Sequence, residues 1–254
     1  MRKISVVGIG AGDPEHVTVQ AINTLNTVDV VFMVDKGDRQ PEATDLRREI
    51  CQRYITRPGY RLVTAAETLR DREAAAYRAA VDDWRRRRAD TYERLIAGEV
   101  GEDQHGAFLA WGDPAIYDST LHVLDEVRAR GAVTFELQVI PGISSIQALA
   151  ARHQVSLTRT GRPLHITTGR RLADGFPDNA DDVVVMLDAG CAFEGIDTGG
   201  ARIYWGAYVG TADEILVEGD AAEAGPKIAA ARAAGRERHG WIMDSYLLRR
   251  PANP

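Results

Sequence analysis

Short runs of apolar, mostly β-branched residues alternate along this chain with longer stretches whose apolar residues recur every three or four positions. The two periods are those of buried strands and of helices that bury one face. Ile4-Ser5-Val6-Val7 reads as a strand, and Val17, Ala21, Ile22, Leu25 and Val28 follow at helical spacing. Val30 to Val34 reads as a second strand, closed by Asp35-Lys36-Gly37-Asp38. From about Arg70 to Ile96, apolar groups such as Ala76, Ala80, Trp84 and Leu95 lie among many charges, which predicts a long exposed helix. Gly106 to Ala110 is another strand; Leu121, Leu124, Val127 and Ala129 mark a helix that Gly131 stops; Phe135 to Ile140 is a strand again. Ser144 is placed to cap a helix running through His153. After the segment from Leu157 to Pro163 the pattern restarts, with strands near 164–168, 183–187, 202–208, 214–217 and 241–248 and a helix near 224–234. This alternation predicts an α/β fold in two domains, 1–158 and 159–254.

Composition narrows the function classes. At 254 residues the chain exceeds the roughly 150 of an average domain. A net charge of −6 gives no general attraction to nucleic acid or anionic lipid, so neither is expected as a partner. No apolar run approaches the roughly 18–20 residues of a membrane span, and the first residues lack the apolar core of a signal peptide. Two cysteines, Cys51 and Cys191, suit a reducing compartment, and the expected location is the cytoplasm. The six histidines show no metal-ligand spacing, so no metal is expected. Only three of the basic residues are lysines and 28 are arginines. GC-rich coding raises arginine over lysine, and guanidinium groups also bind carboxylates through two parallel hydrogen bonds. Composition alone leaves both readings open.

Three predicted strands run into glycine-rich loops: Gly8-Ile9-Gly10-Ala11-Gly12-Asp13-Pro14, Trp111-Gly112-Asp113-Pro114-Ala115-Ile116-Tyr117, and Pro141-Gly142-Ile143-Ser144-Ser145. In open α/β sheets ligands sit beyond the carboxyl ends of strands, and glycine there admits close approach. Each loop by itself is also an ordinary strand-to-helix turn. The first approximates a dinucleotide fingerprint, with Asp35 near the distance of a ribose-binding acid. Counted from Gly8, however, Asp13 stands where the third glycine belongs.

Taken in order, G-x-G-x-G-D-P, G-D-P-x-x-Y and P-G-I-S-S resemble the S-adenosylmethionine-dependent tetrapyrrole methylases. The likeness spans the chain, including Val184 to Leu187 and Gly210 to Glu214. The runs Gly8 to His16, Trp111 to Thr120, His165 to Leu172, Tyr204 to Leu216 and His239 to Arg250 look most like the deacetylating branch acting on precorrins. The resemblance implies two α/β domains with the cofactor cleft between them, and a homodimer. It implies that Gly112, Asp113, Ile116, Ser144, Ser145 and Met186 hold S-adenosylmethionine, or S-adenosylhomocysteine as product, with a backbone contact near Trp205 to Ala207. The family writes proline before the third glycine of the first loop, where this chain has Ala11.

The implied reaction moves a methyl group from the sulfonium to a ring carbon of a small-molecule tetrapyrrole substrate, precorrin-5, after which water removes an acetyl group as acetate. Methyl transfer needs alignment and exclusion of water. Deacetylation needs an activated water and a stabilised oxyanion. By position, Asp35 and Tyr117 are the catalytic candidates. The substrate's carboxylate arms suit loop-borne arginines, with Arg39, Arg159, Arg170 and Arg171 as candidates. The run from Arg85 to Arg88 covers every side of a helix, so most of it faces solvent. Competing readings are another corrin or siroheme methylase or a diphthine-synthase-like relative, a nucleotide-dependent oxidoreductase using the first loop and Asp35, and a binding module whose loops only turn the chain.

Overall fold

The computed structural model describes residues 1–35, 41–66 and 77–251. The chain divides into two compact units, Met1–Ser144 and Ser145–Pro254.

In the first unit β1 (Lys3–Gly8), β2 (Val30–Asp35), β3 (Arg61–Ala66), β4 (His105–Ala110) and β5 (Glu136–Ile140) form one sheet in the order β3-β2-β4-β1-β5. Every pairing is parallel. Strands covered on both faces must be apolar on both sides, and β4, with sequence HGAFLA, is buried at every position. Helices α1 (Val19–Leu25) and α2 (Pro41–Tyr54) cover one face, where Ala21, Leu25, Leu46 and Ile50 meet Val7, Val31 and Leu109. Helices α3 (Tyr77–Glu99) and α4 (Thr120–Arg130) cover the other, where Ala89, Tyr92, Ile96, Val123 and Val127 meet Ile4, Val6 and Phe108. Thr18 caps α1 by accepting from the Ala21 amide at 3.1 Å, and Gly131 ends α4 at φ 71°.

Two elements escaped the hydrophobic pattern. Helix α2 buries Leu46, Ile50 and Cys51, with Thr44, as a narrow stripe between charges, and edge strand β3 exposes alternate residues. The long helix is present from Tyr77, but its far half is exposed on one side only, because Ala89, Tyr92 and Ile96 form a buried stripe. In its arginine run, Arg86 and Arg87 reach Asp83 at 3.5 and 2.9 Å. Arg88 turns inward instead and donates to the Ser119 and Tyr92 hydroxyls.

The second unit begins with α5 (Ser145–Arg152). Its sheet contains β6 (Leu164–Thr168), β7 (Asp182–Met186), β8 (Arg202–Ala207), β9 (Ile215–Asp220) and β10 (Asp244–Arg249) in the order β6-β7-β10-β8-β9. Only β6 and β7 pair in parallel. The short α6 (Gly169–Leu172) and the long α7 (Ala221–His239) pack on a core built around Trp205 and Tyr246. The boundary between units falls at Ser144 and Ser145 rather than at 158. Helix α5 accounts for the difference, since its Leu149 lies against Gly206 of β8. Among the described residues no helix is long and apolar enough to cross a membrane.

Candidate functional site

The order of the first sheet places the three glycine-rich loops side by side, since β4, β1 and β5 are neighbours. The chain leaves β1 for α1 on one face and leaves β4 for α4 on the opposite face. Adjacent strands whose connections depart to opposite faces open a crevice beyond their carboxyl ends, the usual ligand position in such sheets.

The floor of this crevice is backbone against backbone. Gly10 and Gly112 form a two-residue bridge, with N–H···O distances of 3.3 and 2.8 Å. A Cβ at Gly8 would lie 2.5 Å from the Gly142 nitrogen, and one at Gly142 would lie 2.2 Å from the Gly112 carbonyl oxygen. Neither neighbour is a side chain that could turn aside, so glycine is required at both. Asp113 then fastens the loops. Its Oδ1 accepts from the Ala115 amide at 2.7 Å and its Oδ2 from the Gly142 amide at 2.9 Å. Asp13, which breaks the dinucleotide fingerprint, turns its Oδ1 to the Glu15 amide at 2.8 Å and caps a short helical turn over Pro14–His16.

Above this floor, Gly112, Asp113, Ile116 and Tyr117 stand on one loop. Tyr117 sits at φ 52° with its ring half exposed. A non-glycine residue there costs of order 1–3 kcal/mol and persists only where the surroundings enforce it. Burial of its hydroxyl pushes the Tyr117 pKa above the ordinary tyrosine value, so it is a phenol at neutral pH, able to donate. Beside these loops the Trp111 Nε1 and His16 Nδ1 atoms are buried without a hydrogen-bond partner among the described residues. An orphaned indole N–H at a strand's carboxyl end is what a ligand acceptor would satisfy. Ser144 is buried beyond Gly142. Asp35 closes β2, its backbone paired with Ala66. Arg39 lies outside the described residues.

In the second unit β7 and β8 each run antiparallel to β10, so they point the same way and end together. Met186 pairs with Ser245, which pairs with Gly206. Met186, Ala207 and the α6 arginines Arg170 and Arg171 therefore share one end of that sheet, while Ser145 opens α5. Residues just past those strands, Leu187 and Tyr208, have φ of 54° and 50°. Trp205 is a core residue. Its Nε1 donates to Asp244 Oδ2 at 2.8 Å, and its carbonyl faces His153 Nε2 at 3.0 Å. Arg159 is also engaged, its Nε on the fully buried Asp182 at 2.9 Å, with Arg249 on the other oxygen at 2.7 Å. A buried carboxylate needs such partners, and this one draws Arg159 inward.

Sequence reasoning missed the polar network beneath the same end. Arg232, 4% exposed, donates to Asp244 and to the Asp188 carbonyl, the latter at 2.8 Å. Tyr246 donates to Asp188 Oδ2 at 2.6 Å, which also accepts from the Ala192 amide at 2.8 Å. Burial raises the Asp244 pKa more than the Arg232 charge lowers it. The residues involved are widely spaced in sequence, so nothing local signals the network.

Comparison with known proteins places this geometry. The family model of tetrapyrrole (corrin/porphyrin) methylases matches residues 3–225. A precorrin-6A synthase [deacetylating] from Sinorhizobium is 51% identical over 253 residues, covering 100% of this chain and 97% of that protein. A cobalamin-synthesis-related protein from Corynebacterium diphtheriae superposes with a TM-score of 0.85 at 34% identity, covering 98% of both chains. A uroporphyrin-III C-methyltransferase from Thermus thermophilus, solved with S-adenosylhomocysteine, shares the fold at 18% identity, with a TM-score of 0.56 and 97% and 96% coverage. Its three loops, its two sheets and these full-length likenesses agree, and the chain belongs to the tetrapyrrole methylase family.

Proposed function

We propose that this chain is an S-adenosylmethionine-dependent C-methyltransferase that methylates C1 of precorrin-5 and releases acetate, giving precorrin-6A in aerobic cobalamin synthesis. The observation that carries the reading is the 51% identity to a deacetylating precorrin-6A synthase across both units, rather than across the shared loops alone.

The residues present fit the methyl donor. A glycine floor, the orphaned Trp111 N–H and the strained Tyr117 make a preset, partly polar surface at the carboxyl ends of β4 and β1. When bound, S-adenosylmethionine supplies an electrophilic methyl group on a positive sulfur. In this reading Gly112, Asp113, Ile116, Ser144, Ser145, Met186 and the Ala207 backbone hold it. Asp113 acts mainly by fixing the loop, since both its oxygens already accept backbone N–H groups. Trp205 contributes through the strand it anchors, its carbonyl already having a partner.

Methyl transfer to a ring carbon then needs alignment more than a base. For acetate release, a water adds to the acetyl carbon and the bond from that carbon to the macrocycle breaks. A protonated Tyr117 suits donation to the acetyl oxygen. Asp35 is the candidate to take the water's proton. Arg170 and Arg171, exposed on α6, are proposed to meet the substrate's carboxylate arms. We also propose a cytoplasmic location, which fractionation checks, and a homodimer, which light scattering checks.

Incubation with precorrin-5 and S-adenosylmethionine, followed by assay of macrocycle and acetate, tests the assignment. One methylation with one equivalent of acetate is expected. Methylated product without acetate would reject the deacetylating step. Micromolar binding of NADH with none of S-adenosylhomocysteine would reject the methyltransferase reading.

A further inference from the structure

Helix α5 begins at Ser145, and its last residue, Arg152, and the next one, His153, grip the β8–β9 segment at separate points. Trp205's carbonyl can only accept, so the buried His153 ring donates to it from Nε2 at 3.0 Å, while its Nδ1 stands 3.6 Å from Glu218 Oε2. The same ring stands edge-on to Tyr204, with centroids 5.6 Å apart. Arg152 donates from Nε to Glu214 Oε1 at 2.6 Å, and Glu214 Oε2 accepts from the Gly210 amide at 3.0 Å. Glu214 thus joins the helix end to the turn that follows Ala207. One helical turn earlier, Leu149 lies on Gly206, where a Cβ would come within 2.7 Å of its Cδ1. The last turn of α5 is keyed to positions 204, 205, 206, 210 and 214 together.

An eight-residue helix is short, about 12 Å, and stiff. Fixing its carboxyl end therefore fixes where Ser145 stands relative to Ala207. Each contact alone would be ordinary tertiary packing. The bridging Glu214 and the glycine under Leu149 make them a register device, because a slide of the helix by one residue would break all of them.

We propose that Arg152 and His153 are positioning residues for the methyl donor: they lock α5 to β8 and to the Tyr208–Glu214 turn, so that Ser145 and the Ala207 backbone meet the donor as one preset surface. The proposal rests on the reading that Ser145 and Ala207 contact the donor. It assigns no chemical step to either residue.

The test uses the whole protein, with S-adenosylhomocysteine titrated by calorimetry and donor KM and kcat measured on precorrin-5. Arg152 is more than half exposed, so Arg152→Met leaves the melting temperature near that of the parent while weakening S-adenosylhomocysteine about five-fold. His153→Ala weakens it about ten-fold, and His153→Gln, whose amide can donate to the same carbonyl, restores most of the loss. The effect falls on donor KM, with kcat at saturating donor within about two-fold of the parent. Ser145→Ala separates the two levels of inference. If it weakens binding while Arg152→Met and His153→Ala do not, the positioning proposal alone is overturned. If Ser145→Ala leaves affinity unchanged, the donor-contact reading falls and takes the proposal with it. Failure of His153→Gln to rescue would show packing, not the hydrogen bond, and would also overturn it.

Discussion

The two sheets present their candidate ligand ends by opposite means. In the first unit the end is shaped by what is missing. Gly8, Gly112 and Gly142 bring three loops together backbone to backbone, and one aspartate fastens them. In the second unit the end is held by large buried side chains, with Arg232, Asp244, Asp188, Tyr246 and Trp205 meeting from one helix, three strand positions and a turn. The first arrangement has no side-chain rotamers to freeze, though its glycines give up much backbone freedom on folding, and it has no room to adjust. The second depends on paired charges that are costly to separate and that can be exchanged as a set.

The largest break expected falls on the second arrangement. Arg232→Met leaves the Asp244 carboxylate buried without its cation and should cost about 3–5 kcal/mol in urea unfolding. Adding Asp244→Asn, which keeps an acceptor for the Trp205 N–H, should recover most of that loss; an additive or worse double variant would show that the charge pair is not the unit of stability. Next, Gly142→Ala forces a methyl group against the Gly112 carbonyl and should cost about 3 kcal/mol while removing measurable S-adenosylhomocysteine binding. Full binding by a folded Gly142→Ala protein would contradict the backbone floor. Asp113→Ala strips the Ala115 and Gly142 amides of their acceptor and should weaken S-adenosylhomocysteine about ten-fold, read by the same titration.

The smallest effect concerns the opposite end of the first sheet. Burial, with Lys3 adding to it, holds the His105 imidazole below its ordinary value of 6.5, between the Ser5 and Thr27 hydroxyls. As pH falls, the unfolded chain therefore takes up this proton before the folded one does. The stability it contributes is present above 6.5 and lost as pH falls below that value. Melting temperature measured across this range should decline toward acid, and His105→Gln should flatten that decline. A slope unchanged by the substitution would assign it to other groups.

How much of this could be read from the residues follows the same division. The strands of the first sheet are nearly continuous apolar runs, and their loops carry glycine at matching places, so the fold and the three-loop cluster were legible. Helix α2 and strand β3 were not, because an edge strand and a charge-dense helix bury too few positions to show a period. In the second unit each strand was visible within a few residues. The Arg232–Asp244 pairing, and the diversion of Arg159 to Asp182, were not, because they join residues that only the sheet order brings together. Helix α5 was found as a helix, yet its membership in the second unit depends on Leu149 meeting Gly206, a contact with no local signature.

The glycine floor has a consequence for how such a chain can change over time. A tight side-chain contact can be relieved by a smaller neighbour, so a harmful enlargement often has a suppressor elsewhere. Gly142 faces the Gly112 carbonyl and Gly8 faces the Gly142 nitrogen, atoms that every amino acid carries. No exchange at the opposing position can make room for a methyl group at either. Among single substitutions elsewhere these two positions have no suppressors, and selection for revertants of Gly142→Ala should return only a glycine codon at 142 or a change in loop length.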